Sequence, residues 1–353
     1  MKNSVLVIGG GIAGIQASLD IANAGFEVYL VEKELSLGGH MAEIDETFPN
    51  CESAMSMLAP KIKEVEDHRS IKLLTYCEVI QVGGSARNFD VEVKRKSQYS
   101  GQKEEMLEFR SEAIIVATGY DQFDPHLKPE YGYGIYPNVI TGLELERLCS
   151  TSRQTGEKLL INGQEPRDII FIQCVGSRDQ TVVNPYCSKV CCMNTMKQAH
   201  IMKGKSTDVN VTVFYIDVRA SGKGFEEFYD EVREEGVIYR RGNPSEIYKR
   251  SNRLIVKFED TLLREVDEME ADLVVLAAGM VPRADSDDIA RLLKISKSPD
   301  KFFQEAHPKM RPVESSREGI YLAGCCQGPK DILDTVTHAS AAANACILFF
   351  FAR

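Results

Sequence analysis

The stretch that most constrains this chain comes first: Ser4-Val5-Leu6-Val7-Ile8 runs straight into Gly9-Gly10-Gly11-Ile12-Ala13-Gly14. The apolar run predicts a buried strand. Apolar positions three and four apart over 15–24 predict a helix, and Gly25 closes it. A second strand, Glu27–Val31, then ends in Glu32, eighteen residues after Gly14. Strand, glycine turn, helix, strand and acid in this order make a dinucleotide-binding unit. Gly9 makes the turn, Gly11 lets the backbone approach a pyrophosphate, and Gly14 lets helix pack on strand. The helix N-terminus offers free N–H groups to the phosphates. Glu32 is placed to accept ribose hydroxyls, and its charge would repel a 2′-phosphate, which disfavours NADP.

Three later motifs point to FAD. Gly38-Gly39 in VEKELSLGGH, the ATG run ending in Thr118-Gly119, and GIYLAG ending in Gly324 resemble the two-dinucleotide-binding flavoproteins. That resemblance implies an FAD domain assembled from both ends of the chain. Its members usually place Asp after the last Ala-Gly to hold the ribityl chain, and here Cys325 and Cys326 stand instead. The strand Asp272–Gly279 (DLVVLAAG) is read as returning the chain to the first domain.

At 353 residues the chain has room for two packed domains. The net charge of −10, with no basic stripe, argues against a nucleic-acid or anionic-membrane surface. Its first strand begins almost at Met1, which predicts no export signal, and ten cysteines then point to metal or redox chemistry in a reducing cytoplasm. The apolar stretch from Ala339 to Phe351 falls short of the roughly 20 residues of a membrane span. It is read as a buried last helix, not inserted in a membrane, with Phe349, Phe350 and Phe351 available for a subunit interface.

The expected class is α/β: two Rossmann-like, thioredoxin-reductase-like domains, the second inserted in the first. Residues 1–122 and 287–353 form the discontinuous FAD domain, and 123–286 the insert. The insert reads as strand 168–173, cysteine loop, helix 188–203, strand 209–216, helix 224–234 and short strands near 237–240 and 254–259. Where its nucleotide loop belongs, the chain has Cys174-Val175-Gly176-Ser177-Arg178-Asp179, with a single glycine. The next candidate acid, Asp217, lies 41 residues beyond Gly176, about twice the working offset of roughly 20. NAD(P)H binding is therefore expected to be lost.

Four thiols occupy that place. Cys187 and Cys191 are four apart and share one face of a helix, Cys192 points about 100° away, and Cys174 closes the fourth side from the strand. Four thiolates suit zinc or an iron–sulfur cubane. The spacing has neither the paired knuckles of zinc ribbons nor the ferredoxin run, so zinc and free thiols stay open beside the cubane. A one-electron centre gives a flavin an electron exit that a structural zinc does not.

CVGSRD, NPYCSKVCC, YIDVRASGKGFEEFY, AHPKMRPVE and AGCCQGPKDI together resemble the A subunit of heterodisulfide reductase, over essentially the whole chain. The resemblance implies FAD and a 4Fe–4S cluster held by Cys174, Cys187, Cys191 and Cys192, with electrons relayed to partner subunits. The long form carries ferredoxin-like inserts, where this chain has only YSGQKEEMLEFRSE. It also carries an upstream Asp-Cys-x-x-Cys, where this chain reads Ser53-Ala54-Met55-Ser56. The chain thus resembles the short form in the heterodisulfide-reductase-like complexes of sulfur-oxidising bacteria, implying a homodimeric carrier in sulfur and thiol metabolism.

Lys330, at the entry to the last helix, is a candidate to compensate charge on reduced flavin, and Asp331 a candidate cofactor contact or helix cap. Arg219 and Lys223 face the cluster or a partner, or belong to a plain turn. His40 is expected near FAD. Two other functions remain open: a stand-alone NAD(P)H-dependent thiol/disulfide oxidoreductase using Cys325-Cys326, and an assembly protein with structural zinc.

Overall fold

The computed structural model describes residues 3–352, apart from 98–103, 157, 162, 206 and 207. Part of YSGQKEEMLEFRSE therefore lies outside the described residues; its end joins the strand Glu105–Ser111. The chain divides into two compact units: residues 1–42, 55–121 and 282–353, and residues 43–54 with 122–281.

The first unit is built on a seven-stranded sheet. Its order is Glu305–His307, Arg311–Ser315, Ile320–Leu322, Ala113–Val116, Ser4–Ile8, Glu27–Val31 and Ile71–Leu74. The five strands from Ile320–Leu322 onward are parallel, which places the ends of the glycine-loop, ATG and GIYLAG strands along one sheet edge. Val5, Leu6, Val7, Ile114 and Ile115 are wholly buried, as expected for parallel strands covered on both faces. A second, antiparallel sheet pairs Cys77–Ser85, Asn88–Arg95 and Glu105–Ser111.

The last helix is longer than the apolar stretch suggested, running Ile332–Phe351. Among the described residues it is the one helix long and apolar enough by composition to cross a membrane. Its buried residues, Thr335, Ala339, Ala342, Ala343 and Cys346, form a single stripe of mostly small side chains. That stripe packs on the N-terminal helix Ile12–Asn23, so the helix is covered along one stripe rather than buried. All three terminal phenylalanines have partners in their own unit. Phe350 stacks on Phe26, Phe351 meets the same ring edge-on though largely exposed, and Phe349 lies under the Arg87 guanidinium.

The second unit carries a five-stranded, all-parallel sheet in the order Val139–Thr141, Leu273–Ala278, Asp168–Val175, Asn210–Tyr215 and Ile238–Arg241. The strand Leu273–Ala278 is thus a central member of this sheet, and the chain leaves the unit only after it. A three-stranded antiparallel sheet, Pro244–Arg250, Arg253–Asp260 and Glu265–Ala271, precedes that strand. Two of its strands went unrecognised in the sequence, because Glu265–Ala271 is almost wholly exposed and carries little apolar patterning.

Residues 43–54, expected within the FAD domain, group with this second unit. Their short strands, Glu46–Thr47 and Glu52–Ser53, pair antiparallel. A buried ion pair fastens them. Lys197 Nζ lies 2.7 Å from Glu146 Oε1 and donates to the Glu46 carbonyl at 2.6 Å. Glu146 Oε2 accepts from the Asp45 N–H at 3.1 Å.

Candidate functional site

The glycine loop of the first unit has the geometry its residues imply. Gly9 sits at φ +108°, and a Cβ there would come 2.5 Å from the Ala117 carbonyl oxygen. A Cβ on Gly14 would lie 1.8 Å from the Gly9 carbonyl oxygen, so helix and turn meet only because Gly14 lacks a side chain. Gly11, by contrast, faces open space bounded by Gly39, against which Gly38-Gly39 dock: the Gly38 N–H donates to the Gly10 carbonyl at 2.8 Å. The helix Ile12–Asn23 starts without a side-chain cap, leaving its first-turn donors for a ligand. Gly119, at φ +77°, also faces open space. This cradle fits a dinucleotide pyrophosphate.

Glu32 is buried, and burial pushes its pKa up. One carboxylate oxygen accepts from the Gly10 N–H at 2.5 Å, the other from the Glu34 N–H at 2.8 Å. Each oxygen keeps a second acceptor position for a hydroxyl. His40 Nε2 lies 3.0 Å from the Tyr120 carbonyl and its ring stacks on Tyr120.

After the GIYLAG strand, on the same sheet edge, the Gly324 N–H donates to His338 Nδ1 at 3.1 Å. Lys330 turns its ammonium onto Gln327 Oε1 and the Gly328 carbonyl, in its own loop. Asp331 caps the last helix, accepting from the Asp334 N–H at 2.8 Å. Cys325 and Cys326 are buried free thiols. Cys326 Sγ donates to the Val116 carbonyl at 3.1 Å, and burial pushes its pKa up to about 12. Burial raises Cys325 as well, and Cys325 donates to the Lys330 carbonyl. A pair held protonated this way is a poor redox nucleophile.

The cysteine loop of the second unit differs from the expected layout in one respect. The helix runs Cys191–Lys205, so Cys187 is not helical and cannot share a helix face with Cys191. Lys189, at φ +65°, and the turn closed by the Val190 N–H on the Ser188 carbonyl end the loop first. Cys191 and Cys192 therefore stand on the first helical turn, where the dipole favours thiolates. Cys174 stands where the strand slips register between Ile172 and Val175, and has φ +60°. Such a bulge re-aims a side chain out of the sheet.

The sulfurs form one cluster. Burial is the main cause raising the pKa of Cys174, Cys191 and Cys192, and the neighbouring thiols raise them further. Cys187 is among those neighbours in each case. A backbone donor faces one sulfur, the Lys189 N–H donating to Cys187 Sγ at 3.3 Å, and the Arg219 backbone lowers the pKa of Cys192 against the effect of burial. Ser177 Oγ lies beside Cys191, and Thr195 Oγ1 is one helical turn along; both are buried and form no well-made hydrogen bond. The buried Tyr239 hydroxyl, within electrostatic reach of Cys192, has none either.

Among the described residues no three His, Cys, Asp or Glu side chains stand close enough for one metal ion. A tetrahedral zinc needs sulfurs about 3.8 Å apart, given Zn–S bonds of about 2.3 Å. Four thiols that act on one another, with the Lys189 N–H donating to Cys187, are a donor set that fits a polynuclear iron–sulfur centre.

The Phe123 ring packs directly on the single glycine of this loop: a Cβ on Gly176 would lie 2.0 Å from it. Asp217, the acid after the next strand, receives both arms of Arg178 at 2.6 and 3.0 Å. Neither contact was read from the sequence. Arg219 joins Asp217 at 3.3 Å, and Lys223 is exposed.

Fold and site together define a thioredoxin-reductase-like, two-dinucleotide-binding flavoprotein architecture. Residues 3–163 match the pyridine nucleotide-disulphide oxidoreductase family. The fold is shared with the thioredoxin reductase of T. acidophilum at TM-score 0.66 and 17% identity, covering 99% of this chain and 100% of that one. Lactococcus lactis thioredoxin reductase gives TM-score 0.64 at 17% identity, over 99% of each chain.

In sequence the chain is similar to heterodisulfide reductase A subunits. It is 43% identical to the second iron-sulfur A subunit of the CoB–CoM heterodisulfide reductase of Methanopyrus kandleri, over 97% of this chain and 64% of that protein. It is 41% identical to the A subunit of the H2:CoB-CoM heterodisulfide,ferredoxin reductase of Methanothermobacter marburgensis, over 97% and 63%. The chain thus spans just under two thirds of these relatives' length. The alignments run over 417 and 416 positions, more than the 353 residues here, so the relatives carry stretches inside the matched region that this chain lacks.

Proposed function

We propose that this chain is an FAD- and 4Fe–4S-containing electron-transfer oxidoreductase, a homodimeric cytoplasmic component of a heterodisulfide-reductase-like complex in sulfur and thiol metabolism. The observation that carries the reading is a substitution of sites in the second unit. Phe123 packs on Gly176, the Arg178–Asp217 fork takes up the candidate acid, and four thiols gather there from the strand end, the loop and the first turn of the helix. FAD, when bound, exchanges electrons in pairs, and the cluster passes them singly.

The chain's own residues bind and insulate. Gly9, Gly11, Gly14, Gly38, Gly39, Thr118, Gly119 and Gly324 would bring backbone to the flavin dinucleotide, with Glu32 on the ribose. Cys174, Cys187, Cys191 and Cys192 would ligate the cluster. The name of the M. kandleri relative, which calls it an iron-sulfur protein, supports the metal assignment. The stand-alone thiol reductase reading is weakened by the burial and raised pKa of Cys325 and Cys326.

Anaerobically purified protein is expected to show flavin bands with a broad iron–sulfur shoulder, and iron and acid-labile sulfide in cubane ratio. Cys174→Ser removes the shoulder and leaves the flavin. Zinc without sulfide refutes the proposal, and rapid flavin bleaching by NADH alone restores the thiol reductase.

A further inference from the structure

Arg178 is placed unlike an ordinary surface arginine. Its backbone is left-handed, φ +56°, and is held there by its N–H donating to the Tyr186 carbonyl at 2.8 Å. Its guanidinium is only 19% exposed and forks onto both oxygens of Asp217 at 2.6 and 3.0 Å. The same guanidinium acts electrostatically on the Cys174, Cys187 and Cys192 thiols. Asp217 opposes it at Cys192, and the Cys192 Sγ lies 3.8 Å from the Asp217 carbonyl. Arg219 is the third charge at this spot. A positive and a negative group are thus clamped together against the thiol cluster.

We infer that Arg178 and Asp217 are an opposed pair that sets the reduction potential of the centre held by the four thiolates. Adding an electron to a thiolate-ligated centre adds negative charge, which a guanidinium at Cys174 stabilises. Asp217 offsets that stabilisation while fixing the guanidinium in place. The pair therefore positions charge and takes no part in ligation. This inference rests on the cluster assignment proposed above.

The full-length protein, purified anaerobically, is titrated with dithionite, and reduction of the cluster is followed by electron paramagnetic resonance. Arg178→Gln is expected to make the cluster at least tenfold harder to reduce, a fall of about 59 mV for a one-electron couple. Asp217→Asn is expected to shift it in the opposite direction, and Arg178→Lys to stay near wild type. Iron and sulfide content are measured in each variant.

Equal midpoints in variants that keep their cluster refute the inference, as do shifts of the same sign in Arg178→Gln and Asp217→Asn. If Arg178→Gln loses its cluster, the sign of the Asp217→Asn shift decides. Wild-type protein without iron and sulfide refutes the cluster assignment instead.

Discussion

Lys197→Met removes a charge from one of the most enclosed places in the chain. Lys197 and Glu146 side chains are each 1% exposed, and the ammonium has two partners, Glu146 and the Glu46 carbonyl, at 2.7 and 2.6 Å. Methionine has similar volume, so packing changes little, and what is lost is the pairing. Breaking a buried pair from one side costs about 3–5 kcal/mol, because the remaining charge stays unneutralised. Glu146 retains the Gln198 amide at 2.6 Å and the Asp45 N–H, so the lower end applies, about 3 kcal/mol.

The loss falls on residues 43–54, which the pair ties to the second unit. Two units need not unfold together, so the readout is local: hydrogen exchange of the 43–54 peptide by mass spectrometry. At 1.4 kcal/mol per decade, exchange there accelerates roughly a hundredfold. Removing both charges in Lys197→Met/Glu146→Leu restores much of the protection, since an apolar pair replaces an ionic one at little net cost. Unchanged exchange in the single variant, or a double variant as labile as the single, refutes the reasoning.

Two further outcomes are expected. With a Cys326 pKa near 12, its thiol and that of Cys325 remain unlabelled by iodoacetamide at pH 8 in native protein and react only on unfolding; rapid native labelling would reinstate them as a redox pair. Gly176→Ala drives a Cβ into the Phe123 ring from a left-handed backbone, and lowers second-unit stability by about 2–4 kcal/mol in urea unfolding followed by circular dichroism. An unchanged midpoint would mean that the ring does not cover this glycine.

The parts legible in the sequence are those decided within a few residues. The glycine turn, the uncapped helix behind it and the acid ending the second strand are readable because φ preferences, amphipathic period and strand length act locally. The same holds for the strand Asp168–Val175 and for the helix Phe225–Glu234. The concentration of thiols between 174 and 192 is likewise a property of the string itself. Continuing the helix back through Cys187 failed for a local reason that residue type conceals: Lys189 adopts a left-handed conformation that lysine rarely does.

What only the tertiary structure decided is how distant pieces close a site. Arg178 meets Asp217 across 39 residues, the Phe123 ring covers Gly176, and Lys197 draws residues 43–54 into a unit that their neighbours in sequence do not join. Each contact is favourable only once the sheet has set the register of its strands, so no short-range preference announces it. The sequence by itself determined a dinucleotide cradle and a thiol cluster. Long-range packing decided that Phe123 covers Gly176 and that Arg178 takes the Asp217 carboxylate, because a buried ring and a paired charge are stable only against the partners that folding brings to them.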